Sequence, residues 1–181
     1  MHPWHGIEAV DGEIIPALIE IPAGSKTKFE IHKPTGLLKV DRMLYGSVHY
    51  PTNYGFIPRS YADDGDPLDI LVLGQAVVPP LSIMFARPIG CMRMIDSGKL
   101  DDKVIAVHAD DPQFNHFRSL SEISPQVMKE IENFFNIYKG LEGKKIQTNG
   151  YVGLDETRQI IRDAFALYKK HEVELKRGVA L

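Results

Sequence analysis

The sequence predicts a single α+β domain that is mainly β-sheet, with strands in the first two-thirds of the chain and two helices in the last third. Short apolar or alternating runs are broken by glycine and proline as far as Ala109, and helical periodicity starts at Ser124. Such punctuation between short strands is typical of a barrel or a sandwich and not of alternating β-α units. A length of 181 residues suits one domain, since domains average about 150 residues. We therefore expect residues 1–181 to form one domain.

Six segments have the pattern of strands. They are residues 14–21, 27–32, 37–42, 68–73, 87–95 and 103–109. The segment 27–32 alternates strictly, so Lys28, Glu30 and His32 are expected on one face of it. The turn formed by residues 33–36 predicts a hairpin with the next segment.

Two amphipathic helices are predicted after the strands. Ser124 and Pro125 form a helix start with a cap and a first-turn proline, and apolar residues then recur with helical spacing over residues 127–138. A second helix over residues 155–177 begins with acidic residues and ends in a basic stretch. This distribution of charge suits the helix dipole at both ends.

Composition and charge exclude several classes of protein. With 44% apolar and 25% charged residues, the chain has the composition of a globular protein and not of a disordered one. The formal charge of -3 opposes nucleic acid as the main partner. A lone cysteine, Cys91, cannot form an internal disulfide. The N-terminus resembles no secretory signal, and no apolar run approaches the roughly 20 residues of a membrane span. We expect a cytoplasmic protein without a membrane partner.

An acidic loop precedes the fourth predicted strand. Asp63, Asp64, Asp66 and Asp69 fall within seven residues, and Asp69 begins an otherwise apolar strand. Because an unpaired buried carboxylate is costly, several side by side indicate a site for a hard divalent metal ion. A solvated acidic turn is the alternative. An EF-hand is excluded, since the sixth position from Asp64 is Asp69 and not glycine.

A second acidic loop joins two later strand candidates. It contains Asp96, Asp101 and Asp102 and is followed by Lys103. Two acidic loops on one β-module can converge on a common site.

Five short motifs occur in order along the chain. Four are at residues 19–22, 28–30, 40–42 and 50–55, and the fifth, at residues 64–72, reads Asp-Gly-Asp-Pro-Leu-Asp-Ile-Leu-Val. In content and order they resemble the motifs of the soluble family I inorganic pyrophosphatases of the short prokaryotic type, whose signature is Asp, Gly/Ser/Asn, Asp, Pro, apolar, Asp and three apolar residues. The resemblance covers nearly the whole chain.

The resemblance implies a fold and an activity. The fold is a five-stranded OB-like closed β-barrel with the two helices of the C-terminal half packed against it. The activity is that of an inorganic diphosphatase, which hydrolyses inorganic pyrophosphate to two orthophosphates by direct attack of a metal-activated water. The resemblance also implies a cytoplasmic homo-hexamer and a cofactor of roughly three to four Mg²⁺ ions per active site during turnover, with Mn²⁺ or Co²⁺ as possible substitutes.

The resemblance further assigns roles to individual residues. Asp66 corresponds to the general base, and the metal ligands are Asp64, Asp69, Asp101, Asp96 and Glu20. The substrate-binding residues are Lys28, Arg42, Tyr54, Lys103, Tyr138 and Lys139, with Glu30 and Tyr50 in supporting positions. Asp101 is chosen over its neighbour Asp102 because its spacing from Asp96 matches the family, and Asp102 stays as the alternative.

The charge of this candidate site predicts metal dependence. Its seven carboxylates exceed its four cations by three, so without metal it should repel a polyanion.

Two other functions fit part of this pattern. A metal-dependent hydrolase of another phosphate compound would use the same ions, but no pocket for an organic group is indicated. An OB-like oligonucleotide-binding module would fit the barrel, but the acidic balance opposes it.

Overall fold

The computed structural model of the chain describes residues 1–178. Within that range the strands are β1 (Ile15–Ile21), β2 (Thr27–Ile31), β3 (Leu38–Met43), β4 (Asn53–Phe56), β5 (Asp69–Leu73), β6 (Ser82–Asp96), β7 (Lys99–Leu100), β8 (Lys103–His108) and β9 (Ile146–Val152). The helices are α1 (Pro3–Gly6), α2 (Pro125–Ile137) and α3 (Leu154–Lys176), and short 3-10 turns cover Leu120–Glu122 and Gly140–Glu142. The fold is a mixed α+β fold dominated by sheet, as predicted.

Seven strands form one sheet, and two form a separate hairpin. The pairing order of the sheet is β1-β4-β5-β8-β6-β7, and β9 also pairs with β6. β1 pairs with β6 as well, from Ile15 opposite Ala86 to Ile19 opposite Ser82. The pairings β1–β4, β4–β5, β5–β8, β8–β6 and β6–β1 therefore return to the first strand. β2 and β3 form the antiparallel hairpin predicted from the turn between them.

β5 and β8 are parallel neighbours, which brings their first residues together. Asp69 at the start of β5 is the register partner of Lys103 at the start of β8. After Asp69 every residue of β5 is buried. Leu71 packs in the core cluster that contains residues of α2, and Val72 packs in the cluster that contains residues of α3. Burial on both faces explains why this strand is an unbroken apolar run.

The predicted strands are present, with differences at their ends. The segment predicted at 87–95 is the second half of β6, which starts at Ser82 and has 15 residues. β2 ends at Ile31, and His32 lies in the following turn, with Nδ1 2.8 Å from Oγ1 of Thr35. His32 therefore lies outside the strand to which the alternating pattern assigned it.

Both predicted helices are present and cover the sheet. α2 begins at Pro125, but the side chain of Ser124 makes no capping hydrogen bond. Three residues of α2, Ile131, Phe134 and Phe135, are buried in the core cluster that includes Leu71. α3 starts one residue earlier than predicted and is amphipathic. Of the helices in residues 1–178, none has the length and apolar character needed to cross a membrane.

Candidate active site

A cavity of about 260 Å³ opens where the β2–β3 hairpin, the acidic loops and the C-terminal end of α2 meet. Charged side chains dominate its wall. Its carboxyl groups belong to Glu20, Glu30, Asp64, Asp66, Asp69, Asp96 and Asp101, and its ammonium groups to Lys28, Lys33, Lys103 and Lys139. Tyr54 and Tyr138 also line it. The prediction that the two acidic loops converge is therefore confirmed.

The loop between β4 and β5 holds Asp64 and Asp66 in a defined geometry. The N–H of Asp66 donates to Oδ1 of Asp64 at 3.0 Å, and its carbonyl accepts from the N–H of Ala62 at 2.8 Å. Gly65 has a φ of 92°, which glycine adopts without strain. Burial raises the pKa of Asp64 to about 6. Asp66 is the more exposed of the two, with 52% of its side chain accessible.

Lys103 is the most buried charged group in the cavity wall, at 2% exposure. Its Nζ donates to Oδ2 of Asp69 and to Oδ1 of Asp101. Burial opposes a charge on Lys103, but the two carboxylates outweigh it and hold the pKa of the lysine well above its usual range. Burial raises the pKa of Asp69, assisted by Asp101 and opposed by Lys103. The three groups form one tightly coupled charge cluster.

The end of α2 brings Lys139 and Tyr138 to the opposite acidic loop. Nζ of Lys139 donates to Oδ2 of Asp96 and lies 5.2 Å from the centre of the Tyr138 ring. Burial opposes ionisation of Asp96, but its hydrogen bond from Lys139 and the charge of that lysine hold the pKa below its usual range. Tyr138 is buried and stacks on Phe134 of α2, so it belongs to both the core and the cavity wall.

Glu20 is a carboxyl group on a strand that is otherwise apolar and buried throughout. It is 8% exposed, and its Oε1 accepts from the N–H of Ile31 at 2.6 Å. Burial raises the pKa of Glu20 to about 8. On the adjacent hairpin, Nζ of Lys28 donates to Oε1 of Glu30. This contact confirms that Lys28 and Glu30 share a face, as the alternation of β2 predicts.

Two of the candidate residues do not line the cavity. Nε of Arg42 donates to Oε1 of Glu142 at 2.8 Å, and its Nη1 donates to Oδ2 of Asp41 at 2.6 Å. Within residues 1–178, its Nη2 is a buried donor without a partner. Tyr50 is 2% exposed and lies behind the wall, with its ring centre 5.3 Å from that of Tyr54.

Of the two neighbouring aspartates, Asp101 faces the cavity and Asp102 does not. Oδ1 of Asp102 accepts from Nε of Arg93 at 3.0 Å. The choice of Asp101 from its spacing therefore agrees with the geometry.

Seven residues of the wall were not assigned to the site from the sequence, namely Trp4, Phe29, Ile31, Lys33, Phe56, Pro67 and Ser97. If the alternation of β2 continued to Lys33, the Lys33 side chain would lie on the face opposite to that of Lys28. The early end of β2 at Ile31 changes this, because the turn then directs Lys33 towards Asp66, with Nζ 2.5 Å from Oδ1. The signal that could have identified Lys33 is its position in a turn, where alternation no longer applies.

The donors in the cavity fit a hard divalent cation. The five candidate ligands are all carboxylates, which Mg²⁺ prefers. The wall as a whole has seven carboxylates and four lysines, a formal charge of -3. In the part of the chain that is described, no three His, Cys, Asp or Glu side chains are grouped closely enough to hold an ion by themselves. Lysine ammonium groups contact Asp66, Asp69, Asp96 and Asp101 instead, so positive charge is already favoured beside each of these carboxylates.

Comparisons with known proteins agree on one family. A family model described as inorganic pyrophosphatase matches residues 17–169. The chain is 45% identical over 177 residues to soluble inorganic pyrophosphatase 2 of Chlamydomonas reinhardtii, covering 97% of this chain and 92% of that protein. It is 48% identical over 178 residues to a soluble inorganic pyrophosphatase of Oryza sativa subsp. japonica, covering 97% and 83%.

A solved structure agrees with the family match. The crystal structure of inorganic pyrophosphatase from Thermus thermophilus superposes with a TM-score of 0.88 at 34% identity, covering 93% of this chain and 99% of that one. Sequence and fold thus lead to the same conclusion, and the chain belongs to the inorganic pyrophosphatase family.

Proposed function

We propose that this chain is a metal-dependent inorganic diphosphatase that hydrolyses inorganic pyrophosphate to two orthophosphates by direct attack of water. The observation that carries the proposal is the charge of the cavity, in which seven carboxylates and four lysines line about 260 Å³. A wall of this kind repels a free polyanion and accepts one only together with several cations. The cavity is also small and polar, which suits an inorganic substrate.

The proposed cofactor is Mg²⁺, with roughly three to four ions per site. The ligands that we assign to it are Asp64, Asp69, Asp96, Asp101 and Glu20. When bound, such ions offset the charge of the phosphates and lower the pKa of a water. The choice of ligands is supported by their position in one cavity and by the raised pKa of Glu20 and Asp64, since burial leaves both carboxyl groups short of a counter-charge.

Asp66 is the group that we assign as general base. Its exposed carboxylate accepts the proton of the attacking water at Oδ1 or Oδ2, while its backbone is held by the hydrogen bond to Asp64. Because it contacts the cavity without being buried, it can reach a water without itself being enclosed as a ligand.

The basic and aromatic residues bind and orient the phosphate groups in this proposal. Lys28, Lys103 and Lys139 present ammonium groups to the cavity, and Tyr54 and Tyr138 present hydroxyl groups. Arg42 stands outside the wall, paired with Asp41 and Glu142, and we assign its guanidinium to a phosphate oxygen on the family resemblance. Glu30 and Tyr50 support Lys28 and Tyr54 through their contacts.

The proposal also covers the type of barrel, the number of domains, the oligomeric state and the cellular compartment. The ring of strand pairings supports a five-stranded OB-like closed barrel, and we infer that residues 1–181 form a single domain around it. The exposed side chains of Ile83 and Phe85 on β6 are apolar and suit a contact between subunits of a homo-hexamer. We assign the protein to the cytoplasm.

Phosphate release tests this function directly. Pyrophosphate, a nucleoside triphosphate and a phosphomonoester are compared, each with Mg²⁺ and with chelator. We expect release from pyrophosphate alone and only with metal. Faster release from the triphosphate or the monoester would instead indicate a hydrolase of another phosphate compound. No release from any of the three would contradict an enzymatic function.

A further inference from the structure

The N-terminal segment, residues 2–6, contacts the loop that carries Asp66. Trp4 is 2% exposed and lines the cavity. Its Nε1 donates to the carbonyl of Ser60 at 2.8 Å, and its own carbonyl accepts from the N–H of Arg59 at 2.9 Å. Oγ of Ser60 in turn accepts from the N–H of Leu68 at 2.8 Å. The segment therefore contacts the first part of the loop between β4 and β5, and Ser60 links that part to Leu68 at the end of the loop.

The same segment also contacts the turn of the β2–β3 hairpin. Nε2 of His2 donates to the carbonyl of Lys33 at 2.8 Å. Gly36 in this turn has a φ of 70°, and a Cβ there would lie 2.7 Å from Cδ of Pro3. The contact is thus close enough to require glycine.

Lys33 links the hairpin turn to the loop that carries Asp66. Its Nζ lies 2.5 Å from Oδ1 of Asp66 and donates to the carbonyl of Gly65 at 2.8 Å. The N-terminal segment therefore holds the hairpin turn, the turn holds Lys33, and Lys33 holds the backbone and the carboxylate at the tip of the acidic loop. Residues 1–16 precede the range matched by the family model, which starts at residue 17.

We propose that the N-terminal segment and Lys33 form a positioning element that fixes Asp66 for its role as general base. The inference rests on the proposed function for the identity of that role. A single exposed ion pair contributes little to stability, so the fold does not depend on the contact of Lys33 with Asp66. A general base displaced by about 1 Å, in contrast, loses as much as roughly 10²-fold in rate.

Kinetics of four variants test the proposal. Lys33→Met removes both contacts of the Lys33 ammonium group, and His2→Ala removes the contact with the hairpin turn. Lys33→Arg keeps a cation, and Lys170→Met removes an exposed lysine of α3 as the control. At saturating Mg²⁺ we expect kcat to fall ~10-fold in Lys33→Met and several-fold in His2→Ala, with KM for pyrophosphate within about twofold. Lys33→Arg should recover most of the rate. A raised KM at unchanged kcat would make Lys33 a substrate ligand and overturn the proposal, as would a loss that Lys170→Met shares.

Trp4 provides a second readout that needs no activity, because it is the one tryptophan of the chain. We expect acrylamide to quench its fluorescence more strongly in Lys33→Met than in the parent protein, and equally in Lys170→Met and the parent. Unchanged quenching in Lys33→Met would contradict the contact path. If the parent protein shows this Lys33-dependent shielding but does not hydrolyse pyrophosphate, the proposed function fails and the positioning element stands. If the parent is active and Lys33→Met matches it in rate, the positioning element fails alone.

Discussion

Lys103 and Asp69 are register partners at the first residues of two parallel strands, and Nζ of Lys103 contacts the carboxylates of Asp69 and Asp101 together. The pairing of β5 with β8 thus places one buried cation between acids from both acidic loops. Two carboxylates that contact the same atom are close enough to repel each other unless a positive charge lies between them. In the metal-free protein, Lys103 supplies that charge.

Lys103→Met should destabilise the metal-free protein by about 3 kcal/mol, because it leaves two partly buried carboxylates without a counter-ion. Urea unfolding in the presence of chelator measures this loss, with Lys170→Met as the control. Added Mg²⁺ should recover part of the loss, since it can neutralise the same carboxylates. Equal stability of Lys103→Met and the parent in chelator would show that the lysine is not the counter-charge of this pair.

Asp66→Asn should keep the fold and lower kcat by ~10² to 10⁴, because an amide cannot accept the proton of the attacking water. Asp63→Asn is the matched control, since Asp63 is an exposed aspartate of the same loop that does not line the cavity. Steady-state phosphate release at saturating Mg²⁺ measures both variants. An unchanged rate in Asp66→Asn would remove Asp66 from the mechanism.

Glu20→Gln should stabilise the metal-free protein at pH 8 while weakening its affinity for Mg²⁺. The unfolded chain loses the Glu20 proton near pH 4.5, but the folded protein holds it until about pH 8. Stability of the parent therefore falls as the pH rises from 4.5 to 8, and glutamine does not titrate. We expect an advantage of about 4 kcal/mol for Glu20→Gln at pH 8 that disappears near pH 4.5.

Chemical unfolding in chelator at the two pH values tests this prediction. The hydrogen bond from Ile31 can be retained by the amide oxygen of glutamine, so the variant isolates the effect of charge. A constant difference between the two proteins over this pH range would contradict a raised pKa of Glu20.

His5 should make the fold sensitive to mild acid. It is 8% exposed, and its Nδ1 lies 2.9 Å from the hydroxyl of Tyr168 on α3. Burial, assisted by the nearby charges of His2 and Lys176, lowers the pKa of His5 from 6.5 to about 4. Between these values the unfolded chain is protonated and the folded one is not, so stability is complete above pH 6.5 and is lost as the pH falls towards 4.

We expect this group to account for about 2 kcal/mol between pH 7.5 and pH 4.5. His5→Asn keeps a polar atom near Tyr168 and does not titrate, so its stability should fall less over the same interval. Urea unfolding of both proteins measures the difference. Parallel pH profiles would show that His5 takes up its proton equally in both states.

The acidic loops and their convergence were predictable because charged side chains are rare in buried apolar strands. A carboxyl group at the start of a buried apolar strand, as at Asp69, has few physical explanations, because it must either be protonated or lie beside a cation. The family's spacing between Asp96 and its next metal ligand then favoured Asp101 over Asp102. The roles of these residues came from the family resemblance, since spacing alone also allowed a solvated turn.

Other elements could not be read from local pattern. β4 is missed when glycine and proline are interpreted as breaks between short strands, because it contains Gly55. A Cβ at Gly55 would lie 1.8 Å from the carbonyl oxygen of Leu18 on β1. Glycine is required there by the close approach of a neighbouring strand, which only the fold reveals. β9 was missed because its polar residues do not form an apolar or alternating pattern, and its pairing with β6 is not visible in the sequence. The contacts of Trp4 and Lys33 likewise depend on partners that are distant in sequence.

Calorimetric titration of pyrophosphate into Asp66→Asn tests the central claim, the need for metal to reverse the charge of the cavity, most directly. This variant should bind without turning substrate over. With Mg²⁺ we expect saturable binding, and after chelation we expect the affinity to fall by at least about 10²-fold, because the cavity then has a net negative charge. Binding of equal strength in rigorously metal-free protein would contradict the claim.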